Sequence, residues 1–227
     1  MTPEALSPEA VQALFTRENG EYVFARWGRP IVPVVFGVEE ETLEIVKGAL
    51  EAVVVLAGHK MAETDPELGA NLMFFFFKDW AELLEVPNLD QLVPDLAELV
   101  GKLKAQDANQ YRGFRFDDLG AIQAAFVFVR MDAQMAKMPA ETLALTQVVQ
   151  VMLLWSNAAF AETSPLAIAG ENVILRPDVA GVIRAAYAPL MPGSDRDPSH
   201  ALRLYARLQV QGDLVIEDDS DQIQRGE

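Results

Sequence analysis

Three polar residues interrupt an otherwise apolar run. The stretch "ALTQVVQVMLLWSN", Ala144 to Asn157, carries Thr146, Gln147 and Gln150. On a helix, positions 146 and 150 lie one turn apart on one face, with 147 alongside. That is the spacing in which two ligands and a general base meet one metal ion. The residue types do not suit that chemistry. Threonine is a poor ligand, a neutral glutamine binds zinc far more weakly than imidazole, and glutamine cannot take a proton from a metal-bound water. Asn157 continues the stripe seven residues beyond Gln150. The remaining side chains, from Leu145 to Trp155, are apolar nearly all round, which predicts a helix buried on most sides. Its glutamines then need hydrogen-bond partners, either from a neighbouring segment or inside a cavity.

Other chemistry is sparse. The chain has two histidines, His59 and His200, and no cysteine. Thiol nucleophiles, thiolate metal sites and disulfides are therefore excluded, and a histidine-rich metal site is hard to build. His59 follows Gly58 at a helix end, where a capping or solvated imidazole is expected. His200 stands in "PGSDRDPSHAL" near Ser194, Asp195, Asp197 and Ser199. That grouping reads as a helix N-cap rather than a triad, which needs a braced base and an oxyanion hole supplied by the fold. The acidic groups Glu39 to Glu41 and Asp218 with Asp219 read as solvated faces, and Asp117 with Asp118 suit a hairpin turn. Phosphate-binding loops, dinucleotide fingerprints and EF-hand loops do not occur in the sequence. The methionines Met131, Met135 and Met138 recur at helical spacing and suit gap-filling in a core. No cofactor is expected.

The elements that must position these residues follow from pattern and punctuation. "SPEAVQALF" predicts a helix with Ser7 as N-cap and Pro8 at its first position. "EYVFARW" and "IVPVVFGV" predict strands, the second at a sheet edge because Pro33 lies inside it. "EEETLEIVKGALEAVVVLAG" has helical periodicity, an acidic first turn and a stop at Gly58. "GANLMFFFF" predicts a strand buried on both faces. Helices are predicted at "KDWAELL" and "NLDQLVPDLAELVGKLKA", with Pro94 near the start of the longer one. "QYRGFRFD" and "GAIQAAFVFVR" form a hairpin around Asp118 to Gly120. Helices follow over "PAETLALTQVVQVMLLWSNAAFA", "RPDVAGVIRAAYAPLMPG" and "DPSHALRLYARLQV". The expected organisation is an N-terminal helical segment over 1–20, one α+β domain over 21–211, and an acidic, disordered tail over 212–227. The fold class is α+β, a mixed, mostly antiparallel sheet with packed helices.

The order of these elements resembles that of zincin-type metallopeptidases. More specifically, "RWGRPIVPVVFG", "GANLMFFFF", "GAIQAAFVFVR", the helix at Leu143 to Trp155, "SPLAI" and "RPDVAGVIRAAYAPLMPG" are similar to pieces of an uncharacterised bacterial family of secreted or lipoprotein-like, zincin-like domains. The resemblance aligns the family's ligand positions with Thr146 and Gln150 and its catalytic glutamate with Gln147. It implies a fold without the activity, because every catalytic position departs from the pattern.

The bulk numbers limit the partners. The chain has 227 residues with 18 basic and 34 acidic side chains, a net charge of −16. Such a surface repels phosphate backbones and anionic lipid, so nucleic acid is not an expected partner. No run approaches the roughly 18 apolar residues of a membrane span. Read as the native start, "MTPEALSPEAVQALF" has no secretory signal and places the protein in the cytoplasm, whereas a removed leader would allow the periplasm. Three functions fit. One is a non-catalytic zincin-like scaffold that binds an unknown small molecule or protein, with Thr146, Gln147, Gln150 and Asn157 lining its pocket. Another is a metal-independent hydrolase built on carboxylates near His59 or His200. The third is an interaction or assembly module that uses Trp27, Trp80 and the methionine row.

Overall fold

The fold was analysed in a computed structural model that describes residues 6–170 and 172–210. The acidic tail and the first five residues lie outside the described residues. Helix α1 (Pro8–Ala13) starts where Ser7 accepts a hydrogen bond from the Ala10 amide at 3.1 Å, with Pro8 in the first turn. Strand β1 (Phe24–Ala25) is shorter than "EYVFARW" predicts. Strand β2 (Pro33–Phe36) leads into α2 (Glu40–Leu56). That helix stops in a Schellman arrangement: the Gly58 and His59 amides donate to the carbonyls of Val55 and Val54, and Gly58 takes a positive φ of 63°. Strand β3 (Leu72–Phe77) follows, then a 3₁₀ helix at Trp80–Glu85 closed by a capping box between Asp79 and Glu82. The next predicted helix is broken at Pro94 into α3 (Leu89–Leu92) and α4 (Leu96–Ala105). Strands β4 (Gln110–Phe116) and β5 (Ile122–Arg130) form the predicted hairpin, whose turn is held by Asp117 accepting from the amides of Leu119 and Ala121.

Helix α5 (Ala140–Met152) precedes a small hairpin of β6 (Leu166–Ala169) and β7 (Asn172–Leu175). Then come α6 (Pro177–Ala186), β8 (Ser194–Asp195) and a last helix, α7, over 199–210. The β6–β7 hairpin was not predicted. Its outer side chains Ile168, Val173 and Ile174 are exposed.

The central sheet has the order β2-β3-β5-β4. Pro33 therefore sits on an edge strand, as predicted. The sheet is mixed and carries packed helices, as expected for α+β. The expected antiparallel majority needs correcting within it, because β2–β3 and β3–β5 are parallel and only β4–β5 is antiparallel. The reason is two returns of the chain: α2 carries it back between β2 and β3, and the 3₁₀ helix, α3, α4 and the antiparallel β4 intervene between β3 and β5. The two flanking pairs, β1–β8 and β6–β7, are antiparallel.

Strand alternation divides the core in two. Leu72, Phe74 and Phe76 of β3, with Val127 and Val129 of β5, face α2, α5 and α6. Phe75, Phe77, Phe126 and Phe128 face Trp80, Leu83, Leu89 and α4. "LMFFFF" is thus buried on both sides, as its unbroken hydrophobicity predicts. The N-terminal helix adds Val11 and Phe15, both fully buried, to the first of these cores. No helix among the described residues is long and apolar enough to cross a membrane.

Candidate functional site

Strand β4 is an edge strand, and its side chains alternate. Tyr111 packs into the α4 core, while Gln110 and Arg112 turn toward α5. There they meet Gln147, which is only 1% exposed. Arg112 Nη2 donates to Gln110 Oε1 at 2.8 Å and to Gln147 Oε1 at 3.1 Å, and Gln147 Nε2 donates to Gln110 Oε1 at 3.0 Å. The buried glutamine is therefore satisfied by a neighbouring strand. Arg112 forms no ion pair among the described residues. Burial lowers its pKa to about 10, so it stays a cation at neutral pH. Its Nε is buried without a hydrogen-bond partner among the described residues.

Helix α5 ends at Met152, although the predicted helix runs on to Ala161. Three distant or downstream side chains take the carbonyls that a helix end leaves open. Trp155 Nε1 donates to Val149 O at 3.0 Å, Trp27 Nε1 to Val151 O at 2.9 Å, and the Tyr187 hydroxyl to Met152 O at 2.8 Å. The chain then runs extended. Leu153 bridges Arg26, the Leu154 amide donates to Ala25 O, and the Ser156 amide donates to Leu14 O. Arg17 reaches in from the end of the N-terminal segment, and its Nη1 donates to Trp155 O at 2.9 Å.

Between this extended segment and β4 lies a cavity of about 520 Å³. Its walls include Arg17, Gln110, Arg112, Gln150 and Asn157 as polar groups, and Tyr111, Phe114, Leu154, Trp155 and Phe160 as apolar ones. No carboxylate or imidazole lines it. A second cavity of about 630 Å³ adjoins it, shares Arg17, Tyr111, Arg112, Phe114 and Leu154, and continues to Ser194 and Arg196.

The four residues singled out in the sequence thus separate. Gln150 and Asn157 line the cavity, Asn157 from the turn beyond α5 and not from the helix itself. Gln147 stands behind the cavity wall as a brace for Arg112. Thr146 is turned back onto its own helix, where its hydroxyl donates to Thr142 O at 2.7 Å. Sequence reading missed Arg17, Arg112 and Tyr111. The one available signal was the charged residue within "QYRGFRF" at a position that alternation directs to the helix-covered face.

The other residues with chemical potential are tied elsewhere. His59 Nε2 lies 2.9 Å from Arg29 O, and its half-buried ring packs on Tyr187, so it is neither a cap nor solvated. His200 is fully buried, with Nδ1 2.7 Å from the Tyr22 hydroxyl and the ring against Phe24. Its pKa is lowered to about 4, first by burial, with Arg203 adding to the effect and Asp195 opposing it. Ser194 donates its hydroxyl to Leu119 O and does not meet His200. Asp197 accepts from the Ser199 amide at the start of α7, the predicted capping role. Trp27 and Trp80 are fully buried and offer no contact surface, and Met135 fills core as expected. No cluster of three or more possible metal-ligating side chains occurs among the described residues. Comparison of the chain with protein-family models, with curated proteins and with solved structures returns no match.

The arrangement is polar on one side and apolar on the other. It places guanidinium and amide donors against aromatic walls in one cavity.

Proposed function

We propose that the protein is a non-catalytic binding protein on a zincin-like scaffold, whose ligand occupies the cavity between β4 and the segment after α5. The observation that carries this reading is the convergence of Gln150 and Asn157 on a cavity of about 520 Å³ that no titratable acid or imidazole lines. The scaffold reading is supported by α5, whose polar positions 147 and 150 turn toward the antiparallel edge strand with neither imidazole nor carboxylate among them.

Two measurements test it. Metal analysis of protein purified without chelator should find no stoichiometric zinc. Zinc bound one to one, and lost with a hydrolytic activity in the Thr146→Ala, Gln150→Ala double mutant, would overturn the reading. Protein-observed NMR titration with small aromatic amides should show binding that displaces the Trp155 indole resonance. Binding that leaves Trp155 unmoved would place the ligand elsewhere.

A second reading, an assembly module, has one observation in its favour. The β6–β7 hairpin exposes Ile168 at 82% together with Val173 and Ile174. Light scattering across concentration separates the two, since a strict monomer argues against self-assembly.

A further inference from the structure

We infer that the ligand of this cavity is a carboxylate carried on an apolar body, with Arg112 and Arg17 receiving the carboxylate and the aromatic walls receiving the body. This rests on the binding role proposed above and names its chemistry.

The chain holds its arginines in more than one way. Arg29 pairs with Asp65 and Glu67, Arg130 with Asp107 and Asp132, Arg176 with Asp178, and Arg203 with Asp195. Arg26 and Arg115 make no ion pair among the described residues and are held by backbone carbonyls, those of Trp27 and Met191 for Arg26 and those of Gln91 and Leu92 for Arg115. Arg17 and Arg112 likewise make no ion pair among the described residues, and these two line the same two adjoining cavities. The cavity of about 520 Å³ has no acidic lining residue; the adjoining one has Asp118 and Asp195, of which Asp195 is paired with Arg203 and neither pairs with Arg17 or Arg112.

Holding a guanidinium out of water without a counter-charge is unfavourable. Here the cation is also fixed in place. Arg112 is held through Nη2 alone, by two amide oxygens, while its Nε has no partner. Arg17 is held through one nitrogen by Trp155 O. Each planar fork therefore keeps donors to spare, and a carboxylate is the anion whose two oxygens match such a fork. The amides of Gln150 and Asn157 add neutral donors nearby. Phe114, Leu154, Trp155 and Phe160 would cover a ring or a branched chain, and the volume suits a ligand of that size.

A matched pair of probes tests this on the full chain. Phenylacetate and phenylacetamide differ only in the charged group, and each is titrated by calorimetry and by the Trp155 indole resonance at low ionic strength. Phenylacetate should bind at least roughly tenfold more tightly than its amide. Arg112→Lys keeps the charge and loses the fork, and it should weaken phenylacetate several-fold without weakening the amide. Arg17→Ala, at a position braced by a single hydrogen bond, should do the same and serves if the Arg112 variant melts early. Equal affinity for acid and amide overturns the carboxylate inference and leaves the cavity's binding role standing. Absence of binding by both probes overturns the two together. Acid-selective binding that neither substitution alters also overturns the inference, because the anion then sits elsewhere. The dipeptide Gly-Phe against its amide separates the sources of the carboxylate: tighter binding of the dipeptide than of phenylacetate assigns a peptide C-terminus, and the reverse assigns a free small acid.

Discussion

Gln147 shows how one side chain changes meaning once its neighbours are known. In the helix pattern alone it is one polar position among apolar ones; in the fold it is a buried amide that receives Arg112 and donates to Gln110. Replacing it with leucine should remove an acceptor from a buried cation, so Gln147→Leu should lower stability by about 1–3 kcal/mol, read from denaturant midpoints. Gln147→Glu should instead supply Arg112 with the carboxylate it lacks. Its stability should match or exceed the parent at neutral pH and should fall as pH drops through the carboxylate range, because a folded-state pKa held down by Arg112 gives stability only above the unfolded pKa. His200 carries a different pH dependence. Its folded pKa of about 4 lies below the ordinary 6.5. Between those values the unfolded chain binds a proton that the folded chain refuses, so stability should decline as pH falls from 6.5 to 4, by up to about 3 kcal/mol. The groups facing the ring are Tyr22, Asp195 and Arg203. A His200→Gln variant should flatten that part of the melting profile, and a slope unchanged in the variant would assign it to other groups.

At the scale of elements, the informative contrast is between ends set locally and ends set from afar. The start of α1 is written in Ser7 and Pro8, and the stop of α2 in Gly58, because caps act within a few residues. The edge position of β2 is written in Pro33, and the double burial of β3 in its six apolar residues. The end of α5 is not written nearby. Leu153 to Trp155 continue its apolar pattern, but Trp27 and Tyr187 take its terminal carbonyls and β1 draws the following residues into extended pairing. For the same reason Asn157 lies on a turn and not on the helix that the pattern predicts, and the cavity, whose walls come from Arg17, β4 and the stretch from Gln150 to Ala161, is not legible in the sequence. An unpaired Arg112 is likewise a property of the surroundings, invisible in "QYRGFRF". Trp27→Phe and Tyr187→Phe should each remove one capping donor from α5 and cost about 1 kcal/mol or more. Gly37 sets the exit from β2: its φ is +82°, and a Cβ there would lie 1.9 Å from Phe76 O. Gly37→Ala should therefore destabilise by more than the usual backbone effect, on the order of 2–4 kcal/mol, by thermal melting.

Across the whole molecule the dominant facts are charge and layering. A net charge of −16 spread over one body repels itself, and added salt screens that repulsion. The melting temperature should rise between low salt and roughly 0.15 M salt, and a fall would show that the surface ion pairs outweigh the net repulsion. The layering sets an order of opening. Strands β3 and β5 each have a strand on both sides and a core on both faces, whereas β4 has β5 on one side and the cavity on the other. Amide hydrogens at Phe74 to Phe77 and at Ala125 to Val129 should consequently exchange with solvent only through global unfolding, while outward amides of β4 exchange through smaller openings. The wall that meets a ligand is then one of the two edges at which the sheet can open, and an occupant of the cavity should be recorded as slowed deuterium uptake along β4 while the far edge, β2, keeps its pace.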